Sequence, residues 1–345
     1  MNIAYRFRIY PTEEQKIFLG KTFGCCRFLY NQMLNDKIRE YEKTKKMLKN
    51  TPAMYKKEYP FLKEVDSLAL ANVQLHLEKA YRNFFRDPKI GFPKFKSKHH
   101  SRNSYTTNVV NGNILVESKR IRLPKLKWIA MKKHREPAKG LCLKSVTVSM
   151  EPSGKYFASL LYEGYSCENQ AVEPDYSTAK ILGIDYAMQG MAVFSEEIET
   201  EGAGFFRKNE KRLAREQRKL SRCVRGSHNY ELQKKKVARC HEKIRNQRRD
   251  YLHKLSRKIA DGYDAVAVED IDMKAMGQCL HFGKSVHDNG YGMFRELLDY
   301  KLAWKGKKEL KLSERVYHCA CGNEMDRDRN AVINIREEAR RILIA

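Results

Sequence analysis

Two short apolar runs, ILGI at residues 181–184 and AVAV at residues 265–268, each stop on a single acid, Asp185 and Glu269. Runs of this length, bounded by turn-forming residues, read as buried strands. Each acid is thereby set at a strand end, where solvation is poor and a converging cation is the natural partner. A third acidic stretch, CACGNEMDRDRNAVINI at residues 319–335, sets Asp326 and Asp328 against the start of a helix. Its apolar residues Val332, Ile335, Ala339 and Ile342 recur at three- and four-residue steps, which predicts an amphipathic helix with one face on a core. Asp328 falls at or just before the first turn, where free N–H groups and the helix dipole favour a negative side chain. That pattern suits a plain helix cap as well as a metal ligand, and nothing in the residues separates Asp326 from Asp328.

Three carboxylates meeting at one sheet edge would hold Mg²⁺ by oxygen ligands. Two such ions, about 3.5–4 Å apart, can activate water and stabilise a leaving oxygen of a phosphodiester. Such hydrolysis needs no protein nucleophile. The charge balance fits a polyanionic substrate: 68 Lys and Arg stand against 42 Asp and Glu, a formal +26. An excess of that size repels itself unless a nucleic acid or similar polyanion offsets it. No apolar run approaches the roughly 18 residues of a membrane span, and the opening MNIAYRFRIYP lacks the apolar core of a signal peptide. A soluble cytoplasmic protein without a membrane partner is expected.

The order of patterns along the chain gives the organisation. AYRFRIY alternates like a strand and is closed by Pro11; Thr12, followed by Glu13, Glu14 and Gln15, starts a helix. Helical spacing then runs to about residue 86, with a turn at residues 50–52. Residues 87–107 are rich in Pro, Gly, Lys and Ser with Phe92 and Phe95 between, which predicts a basic loop able to follow a sugar–phosphate backbone and stack a base. Strands are expected at residues 113–116, 120–123, 128–131, 143–150 and 156–162, a small barrel or sheet that AYRFRIY joins. In the second half, strands at 181–185 and 191–195 precede two long basic helices broken at residues 226–229. So many Lys and Arg on several faces point to phosphate contact. Of the nine cysteines, Cys25, Cys26, Cys142, Cys167, Cys223, Cys240 and Cys279 read as ordinary thiols, and only Cys319 and Cys321 look like ligands.

LGIDYAMQGMAVFS, AVAVEDIDM and CGNEMDRDRNAVINI resemble, in order, the acid-bearing segments of the RuvC-like nuclease domain of TnpB (OrfB), the transposon-encoded RNA-guided endonucleases related to type V CRISPR effectors. YRFRIYPTEEQ, FGCCRFLYN, GFPKFKSK, RKLSRCVRGSHNY and HEKIRNQRRDYLHKLSR are similar to further blocks of that family, so the resemblance spans nearly the whole chain. It implies an α/β multidomain fold: a wedge β-barrel from residues 1–10 and 100–172, a helical recognition lobe inserted at 11–99, and a RuvC-like (RNase H-like) nuclease domain at 178–345. The last would carry a basic helical insertion at 207–260 and a remnant zinc ribbon at 308–325. It implies Asp185, Glu269 and Asp328 as catalytic Mg²⁺ ligands; Asp328 is taken because the family's acid stands two residues before an Asn, here Asn330. It further implies a guide RNA from the element's end, a double-stranded DNA target read by base pairing, and a place with the nucleoid of a prokaryotic cell. An RNA-guided binder that does not cut, and a DNA transposase, are the alternatives. One departure stands out. The family's four-cysteine ribbon is cut to Cys319 and Cys321, which cannot alone close a tetrahedral zinc shell, so zinc is held only if distant groups or water complete it. A strand of the nuclease sheet would be lost with the rest of the ribbon, and KELKLSERVY at residues 308–317 has the alternation to refill the slot between the Asp185 strand and the last helix.

Overall fold

Backbone alternation and helix capping build two units, residues 1–166 and 167–345, in the computed structural model of the chain. The structure describes residues 2–98, 100–164, 178–185, 191–198, 200, 204–269, 290–312 and 327–344.

In the first unit, β1 (Asn2–Tyr10) turns Phe7 and Ile9 inward, each 1% exposed. It lies centrally in an antiparallel sheet, pairing β7 (Tyr156–Glu163) on one side and β5 (Lys127–Lys132) on the other. With β2 (Asn103–Asn108), β3 (Leu115–Val116), β4 (Arg120–Leu123) and β6 (Cys142–Met150) the order is β2-β6-β7-β1-β5-β4-β3. The helices α1 (Glu13–Thr44), α2 (Pro52–Glu58) and α3 (Ser67–Arg86) fall between β1 and β2 in sequence. A capping box starts α1: Gln15 N donates to Thr12 Oγ1 at 3.4 Å and Thr12 N donates to Gln15 Oε1 at 3.0 Å. The same Gln15 amide donates to the carbonyls of Leu126 and Trp128, tying α1 to β5.

Two expectations are corrected here. The expected barrel is an open sheet: β2 and β3 are its edges and do not pair with each other. The reason is a competing cover, since Leu19, Phe23, Leu29 and Met33 of α1 and Leu70 and Leu77 of α3 join Phe7, Ile9, Ile129 and Val148 in one core. A sheet face covered by helices does not need to curl onto itself. The second correction is β2, expected as the tail of a basic loop. Tyr105 and Thr107 alternate inward, and the Thr106 and Thr147 hydroxyls meet at 2.8 Å across to β6. Asp66, the N-cap of α3, accepts from Leu68 N and from the Thr107 hydroxyl, which fixes that helix to this strand.

The second unit holds a four-stranded sheet in the order β11-β10-β8-β9. β8 (Ile181–Asp185), β10 (Ala265–Glu269) and β11 (Lys308–Leu312) are parallel, and β9 (Val193–Phe194) is antiparallel to β8. Both faces of β8 and β10 are covered. Leu182, Ile184, Val266 and Val268 face α5 (His228–Gly262) and α6 (Tyr291–Trp304), through Leu252, Leu255, Ile259, Phe294 and Leu298. Ile181, Ala265 and Ala267 face α7 (Arg327–Ile344), through Ile335 and Ala339. Ahead of α5, α4 (Phe205–Ser221) packs as the other arm of a helical hairpin. No helix among the described residues is long and apolar enough to cross a membrane.

The strand foreseen at residues 308–317 does form over 308–312, but not in the foreseen slot. β11 lies on the far side of β10 from β8, paired from Ala265↔Lys308 to Glu269↔Leu312. Nothing has to refill a gap, because α7 packs straight onto β8.

Candidate active site

On the side of the sheet facing α7, Gly183, Ala265 and Ala267 are small, which lets the helix come close. Strand side chains alternate with a period of two, so Ile181, Gly183 and Asp185 share one face of β8, and positions 265, 267 and 269 share the corresponding face of β10. At Gly183 the helix comes so close that a Cβ added there would lie 2.1 Å from the Val332 carbonyl oxygen and 3.2 Å from Arg336 N. Gly183 N donates to Ser195 Oγ, and Ser195 N donates back to the Gly183 carbonyl, both at 3.0 Å, which holds this stretch of β8 in place.

The helix runs antiparallel to β8. Val332 lies over Gly183, whereas Ala339 packs with Ala179 and Ile181, and Arg340 donates to the Ala179 carbonyl at 3.4 Å. The first turn of α7 therefore extends past Gly183 toward the end of β8. Position 328 is one turn before Val332, about 6 Å along the helix axis. Asp185 is two residues beyond Gly183, about 6.6 Å along the strand. Glu269 stands one register step past the Val268↔Ile184 pair, beside Asp185 on the neighbouring parallel strand. The backbone thus brings positions 185, 269 and 328, widely separated in sequence, to one corner of the sheet. Asp326, Cys319 and Cys321 lie outside the described residues, as do Cys279, His281 and His287.

Asp and Glu at positions 185, 269 and 328 are of the residue type whose oxygens Mg²⁺ takes.

A second feature of the same unit suits a long anion. Leu213, Cys240 and Ile244 form the apolar seam between α4 and α5. Beside it a cleft of about 270 Å³ is lined by Arg212, Lys219, Lys236, Arg239 and Lys243, with Glu216 as its one acid. Glu216 is spoken for: Gln233 donates to its Oε2 at 2.8 Å and to its carbonyl at 3.0 Å. That hydrogen bond, helped by Lys219, Arg215 and Lys236, holds the carboxyl below its ordinary range, so it stays ionised and offsets only one of the five cations. The remaining positive charge fits phosphates of a nucleic-acid backbone. Lys236→Ala combined with Arg239→Ala is expected to weaken nucleic-acid binding and to reduce the slope of log K against log [salt] by about 1–2, at roughly 0.7–0.9 for each phosphate no longer neutralised. Titration of binding at several salt concentrations reads it, and an unchanged slope would remove the cleft from the interface.

Sequence reasoning missed Gly183 and the Glu216–Gln233 pair. The first had a signal, since a lone Gly inside a strand marks a close backbone approach. The second had none, because Glu216 and Gln233 meet only through the hairpin.

The sequence profile of the family OrfB_IS605, described as "Probable transposase", matches residues 164–279, and its "Helix-turn-helix domain" matches residues 1–46. In the structure the latter segment is β1 followed by the single long helix α1. A "Putative RNA-guided DNA endonuclease" of Streptomyces pristinaespiralis is 31% identical over 366 aligned positions, covering 96% of this chain and 88% of the relative. The "Putative RNA-guided DNA endonuclease InsQ" of Escherichia coli K12 is 30% identical, covering 92% and 83% respectively. Among solved structures, a chain of the Cas12f1–sgRNA–target DNA complex has the same fold at a TM-score of 0.54 and 12% identity, over 98% of this chain and 94% of that one. At 30% identity and above over most of both lengths, the chain belongs to the OrfB (TnpB) family, in which these two relatives carry the name "Putative RNA-guided DNA endonuclease".

Proposed function

We propose that this chain is an RNA-guided, Mg²⁺-dependent DNA endonuclease of the TnpB type, with Asp185, Glu269 and Asp328 as the metal-holding acids. The observation that carries the proposal is the neighbouring placement of positions 185 and 269 on parallel strands with the first turn of α7 at the same corner. When bound, the divalent ions would lower the pKa of an attacking water and stabilise the leaving oxygen of the phosphodiester. The chain's own part is to hold the acids in register, through the β8–β10 pairing and the seat of α7 on Gly183. The basic cleft of the α4–α5 hairpin holds phosphates, while pairing between guide RNA and target strand supplies sequence choice. A +26 chain suits that division of labour.

A second reading, guided binding without cleavage, is favoured by the shortened stretch before Cys319. One experiment separates them: the purified chain with its element-derived RNA and a matched duplex, in Mg²⁺ or in chelator. Cleavage in Mg²⁺ alone is expected. Tight, guide-dependent binding with intact DNA in both conditions would establish the second reading instead.

A further inference from the structure

The end of α3 and the turn after it carry aromatic rings that the core of the first unit does not absorb. Tyr81 is buried at 7% exposure, but Phe85 is 66% exposed and Phe92 45%. The Tyr81 and Phe85 rings are near-parallel and offset, centroids 6.2 Å apart and planes 24° from parallel. Phe92 packs near-perpendicular to Tyr81 and to Phe84, with centroids 5.6 and 5.4 Å apart. These rings are held in place rather than trailing in solvent. Gly91, at φ +80, turns the chain back, and Asp87 Oδ1 accepts from Lys89 N at 3.0 Å. Asn31 of α1 bonds both the N–H and the carbonyl of Lys96, at 2.8 and 2.9 Å.

An exposed apolar cluster on a fixed frame marks a binding surface, and its surroundings say for what. Residues 81–98 expose Arg82, Arg86, Lys89, Lys94 and Lys98, whereas Lys96 sets its ammonium over the Tyr30 ring, and their one acid, Asp87, already serves the turn. A second copy of this chain, itself +26, would bring like charge to that surface. Flat rings beside cations match a nucleobase with its phosphates. We propose that Phe85, backed by Tyr81, Phe84 and Phe92, is a stacking platform for an unpaired base, or for the open end of a duplex, of the nucleic acid the protein binds. This rests on the chain being a nucleic-acid-binding protein, but not on its being a nuclease.

The test uses the full chain and short single-stranded oligonucleotides carrying 2-aminopurine, one set RNA and one DNA. The unmodified chain is expected to quench the fluorescent base. Phe85→Ala should weaken binding roughly 5- to 150-fold and relieve the quenching, since a stacked base contributes about 1–3 kcal/mol. The salt slope should not change, because the cations that meet phosphate remain. Phe85→Tyr should bind as the unmodified chain does, and Phe85→Leu should not. Whichever of the RNA and DNA sets loses affinity identifies the strand. Unchanged affinity of Phe85→Ala for both sets would overturn the proposal, as would full recovery by Phe85→Leu, which would mean plain apolar packing. So would sedimentation showing that the unmodified chain dimerises and Phe85→Ala does not. None of these outcomes touches the cleavage reading, which is tested at Asp185.

Discussion

Gly183→Ala is expected to dislodge α7 from the sheet, lower the unfolding temperature of the second unit and remove cleavage, with a folding cost of about 3 kcal/mol or more. Ordinary overpacking costs about 1–3 kcal/mol because side chains rotate away or neighbours shift by tenths of an ångström. Here the atom in the way is a backbone carbonyl oxygen, 2.1 Å from the new methyl group, with the Val332 carbonyl carbon at 3.1 Å and Arg336 N at 3.2 Å. A helix backbone has no rotamer to change. Relief requires the helix to lift, which exposes Val332 and Ala339, both at 0% exposure. Lifting also moves position 328 away from positions 185 and 269, and about 1 Å of misplacement is enough to cost around 100-fold in rate. Gly24→Ala is the control, because a Cβ there meets nothing within 4 Å and the site is inside α1; it should stabilise by about 1 kcal/mol. Thermal unfolding and hydrogen exchange of residues 332–340 read the first effect. If Gly183→Ala melts and cleaves like the unmodified chain, α7 does not sit on β8 in the active protein.

What the sequence disclosed and what it withheld follow from the range of the forces involved. The apolar runs ending in Asp185 and Glu269 were legible because a strand buried on both faces leaves a local signature, and the capping box at Thr12 and Gln15 is written in four consecutive residues. The break between the two basic helices was legible for the same reason, with Gly226 at φ +83. Whether the first sheet closes was not legible. That depends on α1 and α3 reaching its face, a meeting of residues far apart in sequence, such as Leu19 and Val148. β2 was missed because its Ser and Thr residues look like loop composition until Tyr105 and Thr107 are seen to alternate against β6. The site of β11 was missed because alternation announces a strand and says nothing of its neighbour. Parallel pairing to β10 is chosen by the open edge that strand offers and by a connection through α6.

The position of β11 changes what the shortened stretch before Cys319 means. Had a strand been needed between β8 and α7, its loss would have separated the acids. The close seat of α7 on Gly183 leaves no room for one, and among the described residues β8, β10 and α7 frame the corner at positions 185, 269 and 328.

Asp185→Asn is then the most direct interrogation of that corner. Asn keeps the shape and loses the charge, so RNA and DNA binding should stay within about threefold, the rest of a +26 surface being untouched. Mg²⁺-dependent cleavage should fall by roughly 10³-fold or more: a carboxylate that helps hold the ions supports several kcal/mol of charge stabilisation, and each 1.4 kcal/mol is about a factor of ten in rate. Glu269→Gln should do the same. The double substitution carries the decisive information, because groups that act through one shared centre lose nearly everything on the first removal. The double variant is therefore expected to be no slower than either single one, whereas losses that multiply would mean that the two acids serve separate sites and that their adjacency on parallel strands is only structural. Single-turnover cleavage of a matched duplex, with binding measured on the same preparations, distinguishes the two outcomes.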